Sequence, residues 1–193
     1  MVRAYPCPGR LALAAAAAMA LAGCGGGKFR PVADVPVRIG PPYMVRGTTY
    51  TPAADPGYDM LGYATWYGNE SGNRTANGER FQTGWATAAH RTLPLPSYVE
   101  VTALDTGKRI LLRVNDRGPF GEQARIIDLS RGAAERLGVR NKGKAAVRVR
   151  VVQPSEADRK ALREGREPRG LPPVSGRALR NLQDQFARGV GPR

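Results

Sequence analysis

Histidine and cysteine are close to absent from this chain. One His, His90, and two Cys, Cys7 and Cys24, occur in 193 residues. Both Cys precede the region with strand periodicity, so no disulfide staples the folded part. With a single His, a metal centre of the Cys/His kind lacks its ligands, and no metal or cofactor is expected. Long apolar runs are missing too. Residues 11–21 form one clear run, shorter than the roughly 20 residues that a bilayer span takes. Acidic residues are scarce: 16 Asp and Glu stand against 30 Lys and Arg, a formal charge of +14. The fold must rest on hydrophobic packing alone, under a basic surface that favours an anionic partner. No recognisable nucleic-acid motif occurs, and no nucleic-acid partner is expected.

The N-terminus reads as an address. Arg3 and Arg10 are a basic leader to the apolar run, which ends in Leu21-Ala22-Gly23-Cys24. That tetrapeptide resembles a bacterial lipobox, which makes residues 1–23 a lipoprotein signal and Cys24 the lipid attachment site. Removing Arg3 and Arg10 leaves 28 basic and 16 acidic residues, +12 for the mature chain. Gly25 follows the Cys with no Asp-type retention signal. The expected place is the envelope, facing the periplasm, at the outer rather than the inner membrane. Residues 24–61 are rich in Gly and Pro without sustained period and read as a flexible tether, with Tyr43, Met44 and Tyr50 able to pack on the folded domain.

Residues 62–153 carry the strand signals. Residues 62–68 are aromatic and β-prone, 85–89 lead into His90, and 98–103 alternate with Val99, Val101 and Ala103 on one face. Asp105-Thr106-Gly107 reads as a hairpin loop, and Ile110, Leu112 and Val114 alternate on the return. Residues 125–129 and 145–152 complete about six strands. One helix is clear, with Ser130 as N-cap, Ala133, Ala134 and Leu137 as its apolar stripe and Gly138 as its stop. This pattern predicts a mainly β fold, a small closed barrel. Residues 154–193 read as a basic, partly helical tail, with nine basic and five acidic residues. Ser155 and Asp158 suit a helix start, and Leu179, Leu182 and Phe186 share a helical face. The tail reads as a solvated extension or as a surface helix meeting membrane or a partner.

The most informative stretch is Val114-Asn115-Asp116-Arg117-Gly118-Pro119-Phe120. An apolar strand runs into a carboxylate and then a forced turn, so Asp116 is held rigidly at a strand end. Locally this has two readings: a displayed catalytic acid, or an Asx-type brace to the backbone near Gly118.

Five motifs occur in order: Ala64-Thr65-Trp66-Tyr67-Gly68, Thr75-Ala76-Asn77-Gly78-Glu79, Ala86-Thr87-Ala88-Ala89-His90-Arg91-Thr92-Leu93-Pro94, the Asp116 stretch, and Arg125-Ile126-Ile127-Asp128-Leu129-Ser130. With the lipobox, the series resembles the rare lipoprotein A family of endolytic peptidoglycan transglycosylases. The resemblance implies a six-stranded double-psi β-barrel with one or two short helices. It implies an envelope lyase, often at the division septum, whose partner is peptidoglycan glycan stripped of stem peptides, with division or envelope proteins as candidate partners. Such enzymes break the MurNAc–GlcNAc bond without water and leave a 1,6-anhydro end. One carboxyl group acting first as acid and then as base can run that reaction.

The same resemblance marks Asp116, Glu79 and His90 as catalytic. Asp116 is the expected general acid, which needs a raised pKa, while Arg113 and Arg117 would lower it if they approached. If they do approach, Asp116 stabilises oxocarbenium charge and Glu79 is the acid. His90 is the orienting or proton-shuttling partner. Tyr67, Gln82 and Arg117 are candidate substrate contacts, with Trp66 as a second aromatic face. Asp128 reads as structural, capping the helix near Ser130 or pairing with an Arg. Gln82 stands where family members often carry Asp. A Gln can bond a sugar hydroxyl but cannot donate a proton as an acid. That departure keeps open a non-catalytic, expansin-like glycan-binding lipoprotein.

Overall fold

The computed structural model describes Met1, residues 32–68 and residues 72–189. The signal segment, Cys24 and the start of the tether lie outside the described residues. A hairpin of β1 (Tyr43–Val45) and β2 (Thr48–Tyr50) comes first, then β3 (Asp59–Tyr67), β4 (Thr87–Ala89), β5 (Ser97–Ala103), β6 (Arg109–Asp116) and β7 (Arg125–Ser130). Helix α1 (Arg131–Leu137), β8 (Ala145–Val151), α2 (Glu156–Arg163) and α3 (Gly176–Ala187) complete the order.

β3 to β8 close a six-stranded barrel in the order β3-β7-β4-β6-β5-β8. Two contacts are parallel, β3 with β7 and β4 with β6, and the others are antiparallel. The interior is built from period-two residues: Val99, Val101, Leu112, Val114, Ile127, Leu129, Val147 and Val149 are all fully buried. Each such side chain stabilises the fold by roughly 1.5–3 kcal/mol, the source of stability in a barrel without disulfides. Helix α1 is capped as its sequence predicts. Ser130 Oγ accepts from the Ala133 N–H at 3.1 Å, and Gly138 ends the helix at φ 81°. The helix closes onto the preceding loop through Gly132, where a Cβ would collide with the Gly84 carbonyl.

The segment expected as a tether is a strap on the barrel from residue 33 onward. Arg38 and Leu95 exchange two backbone bonds of 2.8 Å, Tyr43 Oη donates to the Arg91 carbonyl at 2.8 Å, and Tyr98 Oη donates to Asp34 at 2.6 Å. The first barrel strand begins at Asp59, three residues before the expected boundary. Gly and Pro here set the loops of a docked chain, and its isolated pairings have no period to read.

The tail is docked as well. Ala161 and Leu162 of α2 are buried, as is Leu182 of α3. Phe186 meets Tyr63 edge-on at 5.2 Å, Gln183 Nε2 donates to the Leu104 carbonyl at 2.6 Å, and Arg109 Nε donates to the Pro172 carbonyl at 2.8 Å. The apolar stripe of α3 faces the barrel rather than a membrane. Among the described residues no helix is long and apolar enough to cross a bilayer.

Candidate active site

A row of four residues crosses four neighbouring strands. Thr65 on β3 pairs with Asp128 on β7, Asp128 with Ala89 on β4, and Ala89 with Asp116 on β6. At about 4.8 Å per strand, the two Asp backbones stand roughly 10 Å apart with the smallest chiral side chain between them. A bulge in β6 makes this row. Ala88 pairs with Val114 and Ala89 with Asp116, so Asn115 is the extra residue. Bulges re-aim a strand end, and this one turns Asp116 to the rim. Gly118 then passes close over the floor. At φ 140° it holds a conformation that favours Gly, and a Cβ there would lie 3.6 Å from Ala89 Cβ and 3.8 Å from Asp128 Oδ2.

Asp116 Oδ1 accepts from the backbone N–H groups of Ala76 and Arg117, both at 2.8 Å. The Arg117 bond is a brace to the turn beside Gly118, and the Ala76 bond adds a second, long-range donor. Oδ2 has no hydrogen-bond partner among the described residues. Burial pushes the Asp116 carboxyl above its ordinary 3.8, against the opposing pull of the two backbone bonds and of Arg117. The cationic neighbours point elsewhere. Arg113, three residues earlier on β6, is engaged in donating to Glu79, Asp34 and the Ala33 carbonyl. Arg117 donates to the carbonyls of Leu93 at 2.5 Å, His90 at 3.3 Å and Ile39 at 3.0 Å. Through Nη1 and Nη2 it ties the strap to the 90–93 loop.

Glu79 is no loop carboxylate. It is 2% exposed, with Oε2 accepting from Arg113 Nη1 at 2.7 Å and Asn115 Nδ2 at 2.8 Å, and Oε1 from Asn77 Nδ2 at 2.7 Å. Hidden and triply bonded, it holds the 75–79 loop to β6. Asp116, not Glu79, has the geometry of a proton donor.

His90 is 3% exposed, and burial, then Arg117 and Arg91, lower its pKa to about 3. Nδ1 accepts from the N–H groups of Thr92 at 3.2 Å and Leu93 at 3.1 Å, so the ring is neutral with its proton on Nε2. A ring held in one protonation state orients and does not shuttle. Tyr58 packs edge-on against it at 4.8 Å, and both line a groove of about 590 Å³ with Asp59, Arg91, Gln123 and Ile126. The His90 N–H donates to the Asp116 carbonyl at 3.0 Å. Asp116, Glu79 and His90 are thus linked through β6 and the 75–79 loop, and Asp116 Oδ2 is the carboxylate oxygen among them left without a hydrogen bond.

The proposed sugar platforms are committed elsewhere. Tyr67 stacks on Phe81, with centroids 4.9 Å apart and planes at 21°. Its buried hydroxyl finds no partner among the described residues, and burial, Asp116 and Asp128 raise its pKa well above 10. Trp66 Nε1 donates to the Arg140 carbonyl at 2.9 Å, a packing role. Gln82 flanks Phe81 along a shallow depression with Asn73, Arg80 and Thr83. Ser130 caps α1 itself, so Asp128 does not. Asp128 accepts a 2.5 Å bond from Thr65 Oγ1 and stands 3.9 Å from Arg125. Arg91, which sequence reasoning passed over, holds the turn that mounts Asp116. It donates to the carbonyls of Pro119 at 2.7 Å, Glu122 at 2.7 Å and Arg125 at 2.6 Å. Its signal was its place beside His90. Among the described residues no group of three or more His, Cys, Asp or Glu is disposed to hold a metal ion.

A closed mixed barrel with an acid at the end of a bulged strand defines the class: a double-psi β-barrel with a cleft at its rim. Residues 59–149, just under half of the chain, match the family described as Lytic transglycolase. It is 53% identical over 115 residues to an endolytic peptidoglycan transglycosylase RlpA of Pseudomonas aeruginosa, covering 58% of this chain and 33% of the relative. It is 45% identical over 117 residues to the Neisseria meningitidis protein of that name, covering 60% and 48%, and 43% identical over 126 residues to that of Rickettsia felis, covering 63% and 54%. The chain spans between a third and about half the length of these relatives. A solved expansin of Clavibacter michiganensis is 18% identical at a TM-score of 0.40, covering 52% of this chain and 54% of that one.

Proposed function

We propose that this protein is a lytic transglycosylase of peptidoglycan, cleaving between MurNAc and GlcNAc in glycan free of stem peptides. The observation that carries the reading is Asp116: a carboxyl at a rigid strand end, with one oxygen fixed by two amides, the other unpaired, and a pKa raised by burial. The relatives' names supply the substrate class. Protonated Asp116 gives its proton through Oδ2 to the glycosidic oxygen as the bond to the muramyl C1 breaks. The carboxylate then stabilises positive charge at C1 and takes the proton of the C6 hydroxyl as that oxygen attacks C1. The proton lost is regained, no water is consumed, and the product ends in 1,6-anhydro-MurNAc. His90 and Arg91 position the turn and the loop, and Glu79 fixes the loop that holds Oδ1.

The leader residues place this domain, in the same proposal, on a lipid at Cys24 in the envelope, facing the periplasm at the outer membrane. A role at the division septum with envelope proteins as partners belongs to the proposal too. A second reading, glycan binding without turnover, has Gln82 in its favour. Incubating the purified chain with stem-peptide-free glycan and searching for anhydro-muramyl ends by mass spectrometry decides between them. Anhydro ends establish the enzyme. Retention of glycan without such ends establishes the binder.

A further inference from the structure

Both flanks of the barrel meet in one ion cluster, buried on the barrel side and half-buried at the flanks. Asp34 comes from the strap, Arg163 from the last residue of α2, and Arg113 and Glu79 from the barrel. Asp34 Oδ1 accepts from Tyr98 Oη at 2.6 Å and from Arg113 Nε at 3.4 Å, while Oδ2 pairs with Arg163. Arg113 Nη2 donates to the Ala33 carbonyl at 2.6 Å, and Nη1 donates to Glu79 at 2.7 Å. Arg163 also pairs with Glu156 at 2.6 Å, and Glu156 with Arg159 at 2.6 Å, so three carboxylates face three guanidiniums. Neither Asp34 nor Arg163 lies in the 59–149 segment that matches the family.

Arg113 is the pivot. Its residue is fully buried, and a buried cation left without compensation costs several kcal/mol. Two of its donors, Nε and Nη2, go to strap residues. Just one goes to Glu79. Glu79 in turn ends a tight loop in which Thr75 N–H bonds the Glu79 carbonyl at 2.9 Å and Gly78 N–H bonds the Thr75 carbonyl at 2.8 Å. Asn77 N–H bonds the Asn115 carbonyl at 3.1 Å. That loop presents the Ala76 N–H, one of the two donors that orient Asp116.

We propose that Asp34 is a positioning residue for Asp116: it completes the Arg113 cluster, which fixes Glu79, and Glu79 fixes the loop whose Ala76 amide holds Asp116 Oδ1. The proposal rests on the reading of Asp116 as the acid. Without the Asp34 carboxylate, Arg113 turns to the water that enters in its place and loosens its hold on Glu79, which keeps the bonds from Asn77 and Asn115. The loop loosens, Oδ1 keeps one donor of two, and the carboxyl rotates. A misplacement of about 1 Å in a reacting group is enough to cost roughly 100-fold in rate. The strap between the lipid anchor and the barrel thereby becomes part of the site.

The test uses the full chain with Asp34→Ala, Asp34→Asn and Asp34→Glu. Turnover on stem-peptide-free glycan is measured beside the amide proton resonance of Ala76. The Ala and Asn variants are expected to lose ten- to a hundred-fold in kcat with KM within twofold, and to shift the Ala76 resonance while core amides at Val101 and Leu112 keep theirs. Asp34→Glu is expected to restore both. An unmoved Ala76 resonance overturns the proposal, as does an unchanged kcat in a variant whose resonance has moved. If the wild-type chain forms no anhydro ends, the enzyme reading fails by itself, and the Ala76 resonance still decides whether Asp34 reaches the loop.

Discussion

Replacing Glu79 by Ala tests whether that residue is an internal tie or a loop carboxylate. The wild-type pair is tight, with Arg113 Nη1 2.7 Å from Oε2 and side-chain exposures of 1% and 3%. Removing one partner of a buried ion pair costs about 3–5 kcal/mol, because the other charge stays buried. Asp34 still faces Arg113 at 3.4 Å, which holds the loss toward the lower end. The Nδ2 groups of Asn77 and Asn115 also lose their acceptor, at about 1–3 kcal/mol each where water cannot enter. About 5 kcal/mol is the expected total, as large as the whole stability of a domain at the low end of the typical 5–15 kcal/mol. With a urea slope of roughly 2 kcal/mol per molar, the unfolding midpoint falls by about 2.5 M. Fluorescence of the two Trp residues, Trp66 and Trp85, reports it. Glu79→Gln is expected to lose nearly as much, since its new N–H groups face the donors of Arg113 and Asn115. A loss below about 1 kcal/mol for Glu79→Ala would refute the reasoning, because that is what a solvated loop carboxylate gives.

Three other outcomes are expected at the site. Asp116→Asn is expected to end formation of anhydro product, a loss of at least about 100-fold, yet to unfold at higher urea than wild type at pH 7. A carboxyl whose folded pKa is raised is destabilising once ionised, and Asn keeps the acceptor for both amides; by the same sign, wild-type activity should fall as pH rises through the raised value. His90, with a folded pKa of about 3 against an ordinary 6.5, contributes stability that is complete above pH 6.5 and lost as pH falls toward 3. At 1.36 kcal/mol per unit this is roughly 5 kcal/mol across the window, so urea midpoints at pH 4.5 and 7 should differ more in wild type than in His90→Gln. Gln82→Asp places a second ionisable group on the loop beside Phe81, and a rise in turnover of about tenfold or more in the anhydro-end assay is expected; an unchanged rate would show that Asp116 does without it.

Short-range pattern carried the barrel into view, and long-range charge stayed hidden. Alternation at Val99, Val101, Leu112 and Val114 marks an interior, and Ser130 and Gly138 bound α1, because each signal lies within a few residues of its effect. The same alternation assigns Arg113 to the face opposite Val114. What alternation cannot say is that this outer face is covered. Arg113 and Asn115 read as a polar exterior. They are buried because Asp34, 79 residues earlier, and Glu79, 34 residues earlier, lie over them. Composition misleads at both ends for the same reason. A Gly/Pro-rich strap and a basic tail look solvated until their few anchoring side chains are matched to partners across the fold: Asp34 to Arg113, Tyr98 and Arg163, and Leu182 and Phe186 to the barrel wall. The burial that hides these groups also sets the chemistry. It excludes Glu79 from the surface, fixes His90 in one protonation state and raises the pKa of the Asp116 carboxyl. A site of this kind is read from a sequence as motifs, but its division of labour is decided by which of the motif carboxylates remains uncovered.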